Sequence, residues 1–180
     1  MKRLLFITFL LSGIVMLNSC NNGDYLADPQ GNIPSPPGLD GVEEGVIDCR
    51  LDSMYRRFRL GVWAEAADIS VISGTILSNN KPTENLLITI GNYKGPGTYT
   101  ISDTMFGSSV IYTKLNAYNE PTDLYVAQDG AGFATITVTE AGATLKGTFY
   151  AHLFRLDSLS NPIWEDTLIL RQGRFNVGKK

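Results

Sequence analysis

Gly132-Phe133-Ala134-Thr135-Ile136-Thr137-Val138-Thr139-Glu140-Ala141-Gly142-Ala143-Thr144-Leu145-Lys146-Gly147-Thr148-Phe149-Tyr150-Ala151-His152-Leu153-Phe154-Arg155 is the stretch that decides the fold. Ala134, Ile136 and Val138 alternate with Thr135, Thr137 and Thr139. A period of two with one apolar parity describes an antiparallel strand that buries one face. Glu140 to Ala143 turns the chain, and Thr144 to Arg155 returns with Leu145, Phe149 and Leu153 on one parity. Tyr150, His152 and Phe154 share the other parity, which places His152 on the more exposed face.

The same texture runs outward in both directions. Val46 to Leu51 reads as a strand and Asp52-Ser53 as its turn. Met54 to Ala64 follows, with Phe58, Leu60 and Val62 on one parity. Ile69 to Leu77 and Leu86 to Tyr93 are rich in β-branched residues; Thr98 to Ile101, Val110 to Leu115 and Leu124 to Gln128 are each bounded by Gly, Asn, Asp or Pro. Thr167 to Arg171 continues past a bulge at Gly173 into Phe175 and Val177. About ten closely spaced strands and no amphipathic helix predict an all-β domain over residues 46–180. The expected architecture is an antiparallel β-sandwich or flattened barrel, with a closed lipocalin-like barrel as the alternative.

Composition agrees. Of 180 residues, 43% are hydrophobic, too many for a disordered chain, and 18% are charged, below the roughly 25% of an average globular chain. Fifteen basic against 18 acidic residues give −3 without a basic patch, so no nucleic-acid partner is expected.

Lys2 and Arg3 precede an apolar run from Leu4 to Met16, too short for a permanent span but suited to a secretory h-region. Leu17-Asn18-Ser19-Cys20 resembles the bacterial lipobox. That resemblance implies a lipoprotein signal peptide over 1–19 and a Cys20 carrying diacylglycerol and an N-acyl chain such as palmitate. Two or three acyl chains hold a protein to a bilayer where one is marginal. These lipids are the only cofactor expected, and the membrane is a partner through them. Asn21 in place of Asp lacks the inner-membrane retention signal, which favours an outer membrane lipoprotein, facing the periplasm or the cell surface. Cleavage removes Lys2 and Arg3, leaving 13 basic against 18 acidic side chains, net −5. Residues 20–45, rich in Asn, Gly, Pro and Asp, read as the lipidated Cys and a flexible tether, with wrapping onto the domain as the alternative.

The Cys49-Arg50-Leu51-Asp52 strand with Tyr55 and Phe58, the Val71-Ile72-Ser73-Gly74 strand end and Gly97-Thr98-Tyr99 form one group of motifs. Gly147-Thr148-Phe149 and Gly173-Arg174-Phe175-Asn176-Val177 complete it. Together they resemble the small all-β lipoproteins of Bacteroides-type Gram-negative bacteria. The resemblance implies a fold and a compartment and carries no activity.

Catalytic constellations are sparse. With Cys20 lipidated, Cys49 is the only thiol, without an evident base, and reads as a buried small hydrophobe. His152 is the only histidine, which excludes multi-His zinc sites and His dyads; no metal site is expected. Gly107-Ser108-Ser109 lacks the nucleophile elbow, and no glycine segment matches a phosphate loop or dinucleotide fingerprint. Glu65, Asp68, Asp103, Glu120, Asp123, Asp129, Asp157, Glu165 and Asp166 are scattered without a selected pair. Aromatics are the remaining lead, with Trp63 and Trp164 as candidate ligand-contacting residues. Trp63 also suits core packing, and Trp164, beside Pro162, suits a lid over one core end. The reading is a non-enzymatic binding or structural module for a glycan, protein or lipid ligand. The alternatives are a carrier of an apolar ligand in a β-barrel and a carboxylate-dependent glycoside hydrolase.

Overall fold

The computed structural model describes residues 42–101, 107–128 and 131–180. The signal peptide, Cys20, most of the tether, Asp103 and Asp129 lie outside the described residues. Ten strands follow in chain order: β1 (Val46–Leu51), β2 (Met54–Ala66), β3 (Ile69–Ser78), β4 (Lys81–Gly91), β5 (Gly97–Ile101), β6 (Ser109–Leu115), β7 (Pro121–Ala127), β8 (Phe133–Ala141), β9 (Thr144–Leu156) and β10 (Pro162–Lys179). The all-β domain with ten strands is therefore what the alternation predicts.

Eight strands close a barrel in the order β1, β2, β3, β4, β6, β7, β9, β10 and back to β1, every one of these seams antiparallel. The closed barrel, the alternative in the sequence, is the arrangement adopted. β7 holds β9 only at Tyr125–Arg155 and Val126–Phe154. Beyond that point the same edge of β9 takes β8, and β8 takes β5. Among the described strands β5 ends the sheet beyond β8, and it is short and Thr-rich, which discourages edge-to-edge pairing.

Local chemistry sets the turns. Leu51 pairs with Met54 across Asp52-Ser53, and Asp52 adopts φ 52°. Asn79 and Asn80, at φ 50° and 59°, supply the left-handed pair that a tight hairpin requires. Gln128 and Ala131 exchange both backbone hydrogen bonds, at 2.8 and 2.9 Å. The bulge expected at Gly173 lies just before it, where the β9–β10 register shifts between Leu170 and Gly173 and Gln172 sits at φ 51°.

β2 departs from the predicted parity. Leu60 adopts φ 54° and the register with β3 shifts between Arg59 and Val62. The extra residue swings Leu60 outward to 40% exposure and turns Gly61 and Trp63 inward. Only glycine fits at position 61, because a Cβ there would stand 2.9 Å from the Gly45 carbonyl oxygen and 2.8 Å from Val177.

The barrel interior is filled. Every strand contributes to one main core, in which Phe58, Trp63, Ile72, Ile88, Tyr112 and Phe175 are among the large buried side chains. On the outer side of β1, a buried ion pair crosses to β10: Arg174 Nε and Nη2 donate to Asp48 at 3.0 and 2.9 Å. Tyr55 donates to Asp48 Oδ2 at 2.9 Å. Burial, and then the Asp48 charge, pushes the Tyr55 phenol from 10.0 up to about 12. Burial and then Glu84 likewise raise Tyr112.

These phenols give an expected alkaline limit. The unfolded chain releases its tyrosine protons first, so stability is complete below pH 10.0 and falls as pH rises towards 12. Tyr55→Phe should flatten part of that slope in a series of urea midpoints across this window. A wild-type midpoint constant through the window would contradict the assignment.

Candidate functional site

Strand alternation builds the site. On β9, Leu145, Phe149, Ala151 and Leu153 turn into the core, so Tyr150, His152 and Phe154 face out. Register then brings two more rings to them. Phe133 of β8 pairs with His152 and lies 5.7 Å from it and 5.6 Å from Tyr150, centroid to centroid. His152 lies 4.9 Å from Phe154, and Trp164 of β10 meets Phe154 edge-on at 4.9 Å. The result is a continuous ribbon of five rings, Tyr150, Phe133, His152, Phe154 and Trp164, on the outside of the barrel. Phe133 is 44% and Trp164 60% exposed. Single exposed apolar residues are commonplace; here the outward rings are contiguous.

A concavity of about 580 Å³ lies at the start of β7 and the end of β9, lined by Asp123, Leu124, Arg155, Leu156, Asp157 and Ile163. Arg155 bridges two carboxylates across it, Nη2 to Asp123 Oδ1 at 2.7 Å and Nη1 to Asp166 Oδ2 at 3.3 Å. Tyr125 donates to Asp166 at 3.1 Å. The Asp166 bond and then the Asp123 charge hold the guanidinium firmly protonated. Asp157 caps the 157–161 turn, accepting from the Asn161 and Leu159 amides at 2.8 Å and from Asn161 Nδ2 at 3.2 Å, and the Asn161 bonds above all lower its pKa. Arg155 pairs with Tyr125 and so shares the core-facing side of β9 with Leu153, at the barrel end, while Phe154 faces out.

The two candidate tryptophans part company. Trp164 lies on the surface and does not fold back as a lid over the core. Trp63, at 2% exposure, is core: the β2 bulge turns it inward at the opposite barrel end, with Lys179 Nζ 4.9 Å above its ring. It is withdrawn from the site. Cys49 is buried, and burial pushes its thiol well above the ordinary range, removing it as a nucleophile at neutral pH.

Among the described carboxylates, Asp68 pairs with Lys94, Glu65 with Lys179, and Asp123 with Lys114 as well as Arg155. Among the described residues no group of three or more His, Cys, Asp or Glu could hold a metal ion. Phe133 and Arg155 escaped sequence reasoning because strand register, not local pattern, puts them in place. The parity of 150, 152 and 154 was the available signal for the ribbon. No protein-family model matches the chain, and no curated protein or solved structure matches it.

Proposed function

We propose that this chain is an envelope lipoprotein, moored through Cys20, whose barrel binds a neutral glycan strand at the aromatic ribbon without cleaving it. The observation that carries the reading is the ribbon itself: five rings in contact on the outer wall of a barrel whose core is complete without them. Sugar rings present C–H groups to aromatic surfaces and hydroxyls to ions. The ribbon supplies the first kind of partner. The mature charge of −5 favours a neutral strand over an acidic one.

The filled interior supports a surface site over a carrier cavity. Asp123 and Asp166 are both engaged by one guanidinium, unlike the pair of carboxylates that a glycosidase sets on either side of the scissile bond.

The test is a titration of the mature chain, with Cys20→Ser for solubility, against neutral oligosaccharides, read by Trp164 fluorescence and calorimetry. Binding without product is expected. Trp164→Ala should weaken it about tenfold, the loss of roughly 1.4 kcal/mol that one anchoring ring contributes. Release of shorter sugars, or affinity indifferent to Trp164→Ala and Phe154→Ala, would reject the reading.

A further inference from the structure

Register gathers arginines that the chain keeps apart. On the outer wall of β2, β1 and β10, one row of paired residues is Arg57, Asp48 and Arg174, and the next is Tyr55, Arg50 and Arg171. Ile47, Cys49, Phe58, Leu170 and Phe175 turn into the core, so by alternation these six positions face out. Arg59, next to core Phe58, extends the wall along β2. Three carboxylates stand against the five arginines: Asp48 on Arg174, Glu43 on Arg57, and Asp52 at the turn, held by the Ile169 amide. The wall is therefore positive on a chain whose net charge is −3.

Two features of this wall work against folding stability. Arg50 and Arg171 stand directly opposite one another across the β1–β10 seam, and like charges so placed destabilise a sheet. Among the described residues neither has a carboxylate within ion-pair distance; Arg50 reaches the Ser53 carbonyl at 3.5 Å, and Arg171 is exposed. Beyond Arg59, Leu60 adopts φ 54°, a conformation that bulky side chains rarely take, and keeps its apolar side chain outward at 40% exposure.

We propose that the β1–β2–β10 wall rests on a bilayer surface rich in anionic phosphate headgroups, with the guanidiniums on the phosphates and Leu60 at the headgroup–acyl boundary. Charge complementarity selects the headgroups, because the planar fork of arginine matches phosphate oxygens. Shape selects a bilayer over a dissolved phosphate ion. Two strand spacings by five residues along β2 spread the patch over roughly 10 by 17 Å of the barrel's convex outside. An array of headgroups meets such a spread of charge, and the leucine at its edge has an apolar layer to enter. Lying on this wall turns β4, β6 and β7 to solvent. The aromatic ribbon, whose Tyr150 lies opposite the bulge between Leu170 and Gly173, runs along the flank. The inference goes beyond glycan binding and uses neither the Cys20 lipids nor a sugar, so the two readings fail separately.

The test is co-sedimentation of residues 20–180, with Cys20→Ser, on vesicles of equal parts phosphatidylcholine and phosphatidylglycerol, against vesicles of phosphatidylcholine alone. Binding to the anionic vesicles only is expected, weakening as salt is raised. Arg50→Gln with Arg171→Gln should weaken it about 25-fold, about fivefold for each arginine near an anionic surface. The urea midpoint of that variant should not fall, because two facing like charges are relieved. Leu60→Asn, whose side chain tolerates the left-handed backbone, should weaken binding several-fold. Lys114→Gln, on β6 across the barrel, should leave it unchanged. Equal binding to both vesicles, or a double arginine variant that binds as tightly as the parent, would overturn the proposal. So would equal weakening by Lys114→Gln, which would reduce the effect to net charge. Full release by millimolar inorganic phosphate at constant ionic strength would make the wall a site for a free ion and also overturn it.

Discussion

Asp48→Ala is expected to lower unfolding stability by about 3–5 kcal/mol, the cost of leaving one member of a buried ion pair without its countercharge. Asp48 and Arg174 are 4% and 7% exposed, and the carboxylate also accepts from Tyr55. The alanine removes the acceptor for both donors while the guanidinium stays inside the wall. A loss of that size exceeds half the stability of many small domains. Asp48→Leu together with Arg174→Met should recover most of it, because both buried charges then go at once. Urea midpoints of the three chains decide the matter. A single-variant loss below about 1 kcal/mol would mean that the pair behaves as a solvated surface bridge.

Phe58→Ala is expected to cost about 3–5 kcal/mol through the cavity it leaves. Phe58 is 0% exposed and packs edge-on against Tyr112, 6.4 Å between centroids. Its Cβ lies so near Gly74 that a side chain there would press on it at 2.9 Å, so the wall around Phe58 is already closely drawn in. A barrel held by hydrogen bonds on every seam collapses poorly into such a hole, which puts the effect at the upper end. Phe58→Leu should cost much less. Thermal and urea unfolding of both variants give the comparison, and equal losses would show that the site relaxes freely.

Alternation was the legible part of the fold, because a face that must be buried writes itself into every second residue. Residues 134–138 and 145–153 show it plainly. Closure was not legible: whether β1 meets β10 depends on pairings more than a hundred residues apart, such as Ile47 with Phe175. The bulge at Leu60 was hidden too, since nothing in Phe58-Arg59-Leu60-Gly61-Val62-Trp63 marks where the parity changes. That one residue decided the fate of Trp63. Gly147 carries a requirement of the same hidden kind, because a Cβ there would run into the Thr137 carbonyl and Phe175.

The site was legible in half. Parity exposed Tyr150, His152 and Phe154, and the Pro162 turn drew attention to Trp164. Register alone brought Phe133 onto His152 and set Arg155 between Asp123 and Asp166. Those three groups are distant in sequence, and scattered carboxylates look alike until a fold selects among them.

The proposed mooring to an envelope membrane turns on Cys20. Intact mass of the N-terminal proteolytic peptide, taken from the chain purified out of its native membranes, reads this directly. A peptide beginning at Cys20 and carrying a diacylglyceryl thioether and an amide-linked acyl chain is expected, with Cys20→Ala leaving the protein unacylated. A peptide beginning at Met1, or a residue 20 with its thiol and amine unmodified, would contradict it.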